Sequence, residues 1–214
     1  MNVRREKATE DRAGLSNQEA SRLGRKLFYS ARRRKDYLRA FPYLSQAAKA
    51  GYIHSQNLVG YCFDQGLGVR RDPRAALFWY RRAGRGGHRD ALFNAGLCYE
   101  TGVGTRKDMR KASSHYRLAA KHGSAEAQCN LAVAYLDGLG TKPNTQQALF
   151  WLRKAAQAGD GKAQYNLGRE YLKGKLVPKN INLALLWLAR AARRGHRRAK
   201  AASARLRTSF GSKR

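Results

Sequence analysis

Acidic residues are scarce in this chain. Only 14 Asp and Glu stand against 44 Lys and Arg in 214 residues, giving a formal charge of +30 and a pI near 11.0. That excess is well beyond what solubility requires, and such a field draws nucleic acid, acidic proteins or anionic surfaces. Long apolar runs are missing too. Nothing approaches the roughly 20 consecutive apolar residues of a membrane-spanning helix, so no such span is expected. Met1 to Asn17 is charged and has no apolar stretch of the kind that opens a secretory signal, which predicts a cytoplasmic protein. Also absent are a P-loop, a paired-carboxylate motif and a nucleophile beside a base, and no Cys or His pair stands at metal-ligand spacing. The expectation is a protein that is not an enzyme, with no catalytic residue, no metal and no cofactor.

What is present is a period. Gly24, Gly60, Gly96, Ala132 and Gly168 fall 36 residues apart, as do Ala40, Ala76, Ala112, Ala148 and Ala184. Two more columns repeat the spacing: Ala47, Ala83, Ala119, Ala155 and Ala191, then Gly51, Gly87, Gly123, Gly159 and Gly195. Register holds without insertion from Glu19 to Arg198, which makes five units of 36 residues: 19–54, 55–90, 91–126, 127–162 and 163–198. Residues 1–18 form a charged head that is expected to fray. Alanines from Ala199 match the start of a further first helix, so a capping helix is expected over 199–208, followed by a disordered basic tail over 209–214.

Within a unit the spacing reads as two helices. Ala127, Leu131, Ala134 and Tyr135 recur at three and four residues and end at Gly138-Leu139-Gly140, where glycine can take the positive φ that stops a helix. Asp36, Asp72, Asp108, Asn144 and Asn180 share a column suited to the N-cap of the second helix, and Pro73 fits its first turn. That helix runs through Ala148, Trp151, Leu152 and Ala155 to Gly159. Small residues at the recurring contact columns let helices approach closely. The expected fold is all-α, a right-handed α/α solenoid.

These residues carry a resemblance. Ala163-Gln164-Tyr165-Asn166-Leu167-Gly168, with Tyr171, Gly174, Ala184, Trp187, Ala191-Ala192 and Gly195, resembles the Sel-one-like repeat (SLR), a relative of the tetratricopeptide repeat. Gly102-Val103-Gly104, Gly66-Leu67-Gly68-Val69, Asp72, Ala76, Trp79 and Tyr80 extend it. The first unit departs from the pattern, with Ser30 and Arg32 at the turn-glycine positions and Pro42 inside its second helix; the last unit has Leu176 in place of the second turn glycine. The resemblance implies a binding scaffold. Some secreted relatives staple each helix pair with two cysteines, a pattern missing here. Cys62 and Cys98 lie one repeat apart on helices whose axes would be about 8–10 Å apart, too far for a bridge that needs Cα atoms within about 7 Å.

The cations are patterned. Arg81, Arg117 and Arg153 form one column, Arg82, Lys154 and Arg190 a second, and Lys49, Arg85, Lys121 and Arg193 a third, with Arg194 beside it. All lie late in the second helix, where they either complement the helix dipole or form a ridge for a polyanion. The first helix carries Asn94, Asn130 and Asn166, with Phe93 and Tyr165 in the preceding column and Arg169 three residues beyond Asn166. In tetratricopeptide-like arrays first helices line the concave face, and an asparagine amide can both donate to and accept from an extended peptide; alternatively each could satisfy a buried carbonyl. The Trp79, Trp151 and Trp187 column reads as core, and His88, His115 and His196 as packing or surface residues. The leading expectation is an adaptor binding a protein or peptide, acidic in character, in the concave groove. The alternative is nucleic-acid or ribonucleoprotein binding through the basic ridges and ends.

Overall fold

The structure, a computed structural model, describes residues 14–211, with side chains described to residue 206. The chain divides into two compact units, Met1–Asp108 and Met109–Arg214. The first contains α1 (Asn17–Ser30), a 3-10 turn (Arg34–Asp36), α2 (Tyr37–Lys49), α3 (Ile53–Gln65), α4 (Pro73–Arg85) and α5 (Arg89–Thr101). The second contains α6 (Met109–Lys121), α7 (Ala125–Asp137), α8 (Thr145–Gln157), α9 (Gly161–Lys173), α10 (Ile181–Arg193) and α11 (Arg197–Gly211). Within each unit, every helix packs on the next in sequence.

Two kinds of turn alternate, and each has a structural cause. Where α2, α4, α6, α8 and α10 end, Gly51, Gly87, Gly123, Gly159 and Gly195 take φ between 82 and 99°. That left-handed residue lets the next N–H reach back five residues, so Tyr52, His88, Ser124, Asp160 and His196 donate to Ala47, Ala83, Ala119, Ala155 and Ala191 at 3.0–3.2 Å. The other turn ends α3, α5, α7 and α9 at Gly66, Gly102, Gly138 and Gly174. The chain is then tied down before the following helix by Asp72 N–H to the Phe63 carbonyl, Asn144 to Tyr135 and Asn180 to Tyr171, each at 2.9 Å.

The alanine columns are the contact surface. Ala40, Ala76, Ala112, Ala148 and Ala184 are fully buried, as are Ala47, Ala83, Ala119, Ala155 and Ala191. Opposite Gly24, Gly60 and Gly168 of the first helices stands a large residue of the second helix. A Cβ on Gly60 would lie 2.7 Å from the Tyr80 ring, on Gly168 2.9 Å from Leu188 and on Gly24 2.9 Å from the Leu44 backbone. In the first unit Phe28, Leu44, Val59 and Cys62 form the core with Phe41, Phe63 and Trp79 against it; at the end of the second, Leu188, Ala191 and Ala199 pack with Tyr165, Leu172 and Leu206.

Several expectations need correcting. Asp36 does not cap α2; its carboxylate accepts the Arg32 and Arg33 N–H groups at 3.1 and 2.9 Å, closing the 3-10 turn that stands in for the missing turn glycines. Asp72, Asn144 and Asn180 do cap. Pro42 does lie inside the second helix, as read from the sequence, and α2 continues past it to Lys49. The head ends earlier than 18, because Ser16 and Glu19 form a capping box and α1 begins at Asn17. At the other end α11 starts before 199 and runs past 208 to Gly211, into the stretch expected to be tail. Residues 1–13 and 212–214 lie outside the described residues, and so does that part of the expected head and tail.

Candidate functional site

Asn94 stands on α5 in the first unit; Asn130 on α7 and Asn166 on α9 stand in the second. All three are half-buried, and none of their amides hydrogen-bonds a described residue. For Asn130 and Asn166 the buried carbonyl that each was a candidate to satisfy is served instead by a glutamine two positions earlier, whereas Asn94 has Leu92 there. Gln56, Gln128 and Gln164 are buried and donate to the Ala48, Ala120 and Ala156 carbonyls at 3.1, 3.2 and 3.1 Å, joining the first helix of one repeat to the end of the preceding helix. The sequence carried this signal as a fifth column, Gln56, Leu92, Gln128 and Gln164. With that bond made elsewhere, the Asn130 and Asn166 amides keep both donor and acceptor capacity. Beside Asn166, the Tyr165 ring stacks on His196 with centroids 4.4 Å apart and the Arg169 guanidinium lies 5.7 Å from the centroid of the same Tyr165 ring, so aromatic, cation and amide share one helix. Phe93 on α5 is half-buried in the matching position.

The basic columns separate into two kinds. Arg82 sits 5.5 Å from the Trp79 ring, Lys154 5.4 Å from Trp151 and Arg190 4.8 Å from Trp187, each over the aromatic residue one helical turn earlier. In the third repeat His115 and Leu118 occupy these two positions, so aromatic and cation are lost together. The tryptophans are thus core on one side and cation platforms on the other, with Trp151 buried and Trp79 and Trp187 half-buried. Arg81, Arg117 and Arg153 are exposed, and so are Arg85, Lys121, Arg193 and Arg194. The ion pairs Arg89–Asp90 and Lys173–Glu170 involve none of them. Not every cation of the basic ends is free: Arg34 donates through Nε and Nη2 to the Gly66 carbonyl and through Nη2 to that of Gln65, closing the end of α3. Arg153 and Lys154 border an apolar surface groove of about 470 Å³ with Leu149 and Phe150, while Arg190, Arg193 and Arg194 line a separate cleft.

His88 and His196 have a role that the sequence reading missed. They occupy the N-cap column with Ser124 and Asp160, and each Nδ1 accepts a backbone N–H, from Ala91 at 3.4 Å and Ala199 at 3.2 Å. That bond makes His88 Nε2 the protonated nitrogen; it donates to His54 Nδ1 at 3.2 Å, and His54 Nε2 then donates to the Tyr29 hydroxyl at 3.1 Å. A relay of this kind requires two neutral rings. Burial, with the Arg25 cation for His54 and the second imidazole for His88, pushes both below their ordinary 6.5, and Asp90 opposes the shift in each. The unfolded chain therefore takes up these protons first. The contribution to stability is complete about a unit above pH 6.5 and declines as pH falls through that ordinary value toward the depressed folded values. Thermal melts should show a falling Tm between about pH 7.5 and 5.5, and His88→Asn, which retains a capping side chain, should flatten that decline. An unchanged slope in the variant would refute the assignment.

Cys62, Cys98 and Cys129 are free and buried, and burial pushes the thiols up to about 12, 11 and 12, which leaves no thiolate at neutral pH. Among the described residues no group of three or more His, Cys, Asp and Glu could hold a metal ion, and no helix is long and apolar enough to cross a membrane.

Comparison with known proteins agrees with this anatomy. The Sel1 repeat model matches residues 20–52, 53–88, 89–124, 125–160 and 161–196. Among solved structures, a Sel1 repeat protein from Oxalobacter formigenes is 34% identical with a TM-score of 0.79, over 86% of this chain and 72% of that one. The uropathogenic Escherichia coli protective antigen c5321, described as displaying an SLR fold, is 27% identical with a TM-score of 0.84; the match covers 96% of this chain but 44% of the antigen, so this chain spans less than half its length. A search of curated proteins finds no match. Repeats, turns, contact columns and structural neighbours agree: this all-helical chain, of the α/α solenoid class, belongs to the Sel1 repeat family.

Proposed function

We propose that this protein is a non-enzymatic scaffold that binds an acidic protein segment in extended form along its first helices. Sel1 repeat proteins are in general protein-interaction scaffolds, which supplies the class. The observation that carries the finer reading is the pair of unengaged amides at Asn130 and Asn166 in the second unit, whose structural alternative is discharged by Gln128 and Gln164. Such amides grip a peptide backbone without reading its side chains, and the surplus of cations selects an acidic segment and speeds its approach.

The test is fluorescence anisotropy with a labelled acidic peptide, its neutral counterpart and a short DNA duplex, from about 50 to 200 mM salt. Asn130→Ala combined with Asn166→Ala should weaken the acidic peptide roughly tenfold, as expected for two lost hydrogen bonds, and leave the fold intact. No effect of the double substitution would remove the groove reading. Duplex binding that stayed tight at the higher salt, with log K falling by about 0.9 per log salt for each phosphate contacted, would favour the basic ridges as a nucleic-acid surface instead.

A further inference from the structure

One cleft in the second unit differs from every equivalent position in the chain. About 390 Å³ in volume, it is lined by the ends of α8 and α10 and the start of α9, with Arg190, Arg193, Arg194, Gln157 and Gln164 as its polar residues. One repeat earlier the three arginine positions hold Lys154, Gln157 and Ala158, so a single cation stands where this cleft has three. Arg194 reaches across to the α8–α9 turn; a Cβ on Gly159 would lie 2.6 Å from its Nη2, so glycine leaves the guanidinium its place.

Among the described residues no acid forms an ion pair with the three guanidiniums. Asp160 is occupied in capping α9, where it accepts the Ala163 N–H at 2.6 Å. Beyond it the only acid in the sequence is Glu170, which pairs with Lys173 at 3.6 Å. Like charges gathered on one cleft without a counter-charge repel, and a bound anion relieves that repulsion through paired, charge-assisted hydrogen bonds. Gln164 adds a second requirement. It is 5% exposed, its Nε2 is committed to the Ala156 carbonyl, and its buried Oε1 accepts no hydrogen bond from a described residue; Gln128 Oε1 one repeat earlier is in the same state, but only here do three arginines stand beside it. A ligand that completes this site brings carboxylates or phosphates together with a hydrogen-bond donor.

We propose that the cleft is a subsite for acidic side chains of an extended peptide, with Arg193 and Arg194 holding carboxylates and Gln164 Oε1 accepting a peptide N–H. A peptide offers such a donor at nearly every residue, whereas a sugar-phosphate backbone offers acceptors. This inference rests on the peptide-binding reading above and assigns the source of its acidic preference.

The probes are labelled octaglutamate, octaglutamine and a 12-nucleotide RNA, measured by anisotropy at about 150 mM salt, where exposed charges more than roughly 8 Å apart are largely screened. Arg193→Gln with Arg194→Gln should weaken octaglutamate about tenfold or more, while Arg81→Gln with Arg85→Gln, which removes the same charge from the first unit, should change it less than about threefold. Gln164→Met should weaken the peptide severalfold and leave the RNA unchanged. Equal losses from the two arginine pairs would assign the effect to the overall field and overturn the subsite. RNA binding that depends on Arg193 and Arg194, with octaglutamate indifferent to them, would make it a phosphate site. The asparagine double substitution separates the two levels. If it alone weakens the peptide, the groove stands and the subsite falls; if the arginine pair alone does so, the subsite stands and the groove falls.

Discussion

Replacing Gly140 with alanine is expected to destabilise the second unit by about 2–5 kcal/mol, against about 1–2 kcal/mol for the same change at Gly123. Both glycines have positive φ, +69° and +87°. They differ in what a Cβ would meet. At Gly123 nothing lies within 4 Å, so alanine there pays the left-handed penalty and nothing more. At Gly140 the new atom runs into the Met109 carbonyl and comes within 2.6 Å of the Arg110 nitrogen, the backbone that opens α6. A backbone carbonyl has no rotamer by which to move aside, so the turn and α6 must separate. Gly68 on Tyr37 and Gly104 on Pro73 make the same approach in the first unit. Leu176 holds this column in the last repeat, and no described non-glycine residue has positive φ, so that turn follows another backbone path. Urea unfolding monitored by helical circular dichroism measures both variants; equal losses at Gly140 and Gly123 would show that the close approach carries no weight.

The pattern of glycines was legible because its cause is local. Positive φ, helix ends and small contact residues act within one repeat, and five copies at one spacing made them visible without any partner in view. N-caps were legible for the same reason at Asp72, Asn144 and Asn180. Asp36 failed because the first repeat lacks the turn glycines, and a 3-10 turn drew its carboxylate to Arg32 and Arg33. Roles that depend on another helix were not legible. Arg34 counts as one charge among many until Gly66, 32 residues away, supplies the carbonyl it closes. Histidine at an N-cap escaped notice because Ser124 and Asp160 in the same column are the usual capping residues and His88 and His196 are not. For the candidate site, the asparagine and arginine columns could be read from spacing alone. Which polar column faces a carbonyl and which stays open is a matter of angle around the helix, and a shift of two residues turns a side chain by about 200°.

Gln128 provides the second large effect. Gln128→Leu is expected to cost about 2–4 kcal/mol, and adding Ala120→Gly should recover at least about 1 kcal/mol of it. Leu92 occupies the glutamine column in the third repeat, and there the residue at the Ala48, Ala120 and Ala156 column is Gly84. A Cβ on Gly84 would lie 2.9 Å from Leu92 Cδ2, so a branched side chain fits only where that methyl is missing. The planar amide of Gln128 passes beside Ala120 and donates to its carbonyl at 3.2 Å. Leucine in its place forfeits that bond, a net loss of about 0.5–1.5 kcal/mol because the Gly123 N–H still serves the carbonyl, and adds about 1–3 kcal/mol of overpacking. Ala120→Gly alone costs about 1 kcal/mol of helix propensity and opens space beside Gln128. Combined, the two substitutions recreate the arrangement of Gly84 and Leu92, so their effects should be strongly non-additive in a double-mutant cycle read by urea unfolding. Additive losses would mean that Gly84 and Leu92 coincide without coupling, and that the end of each second helix tolerates the methyl whatever faces it.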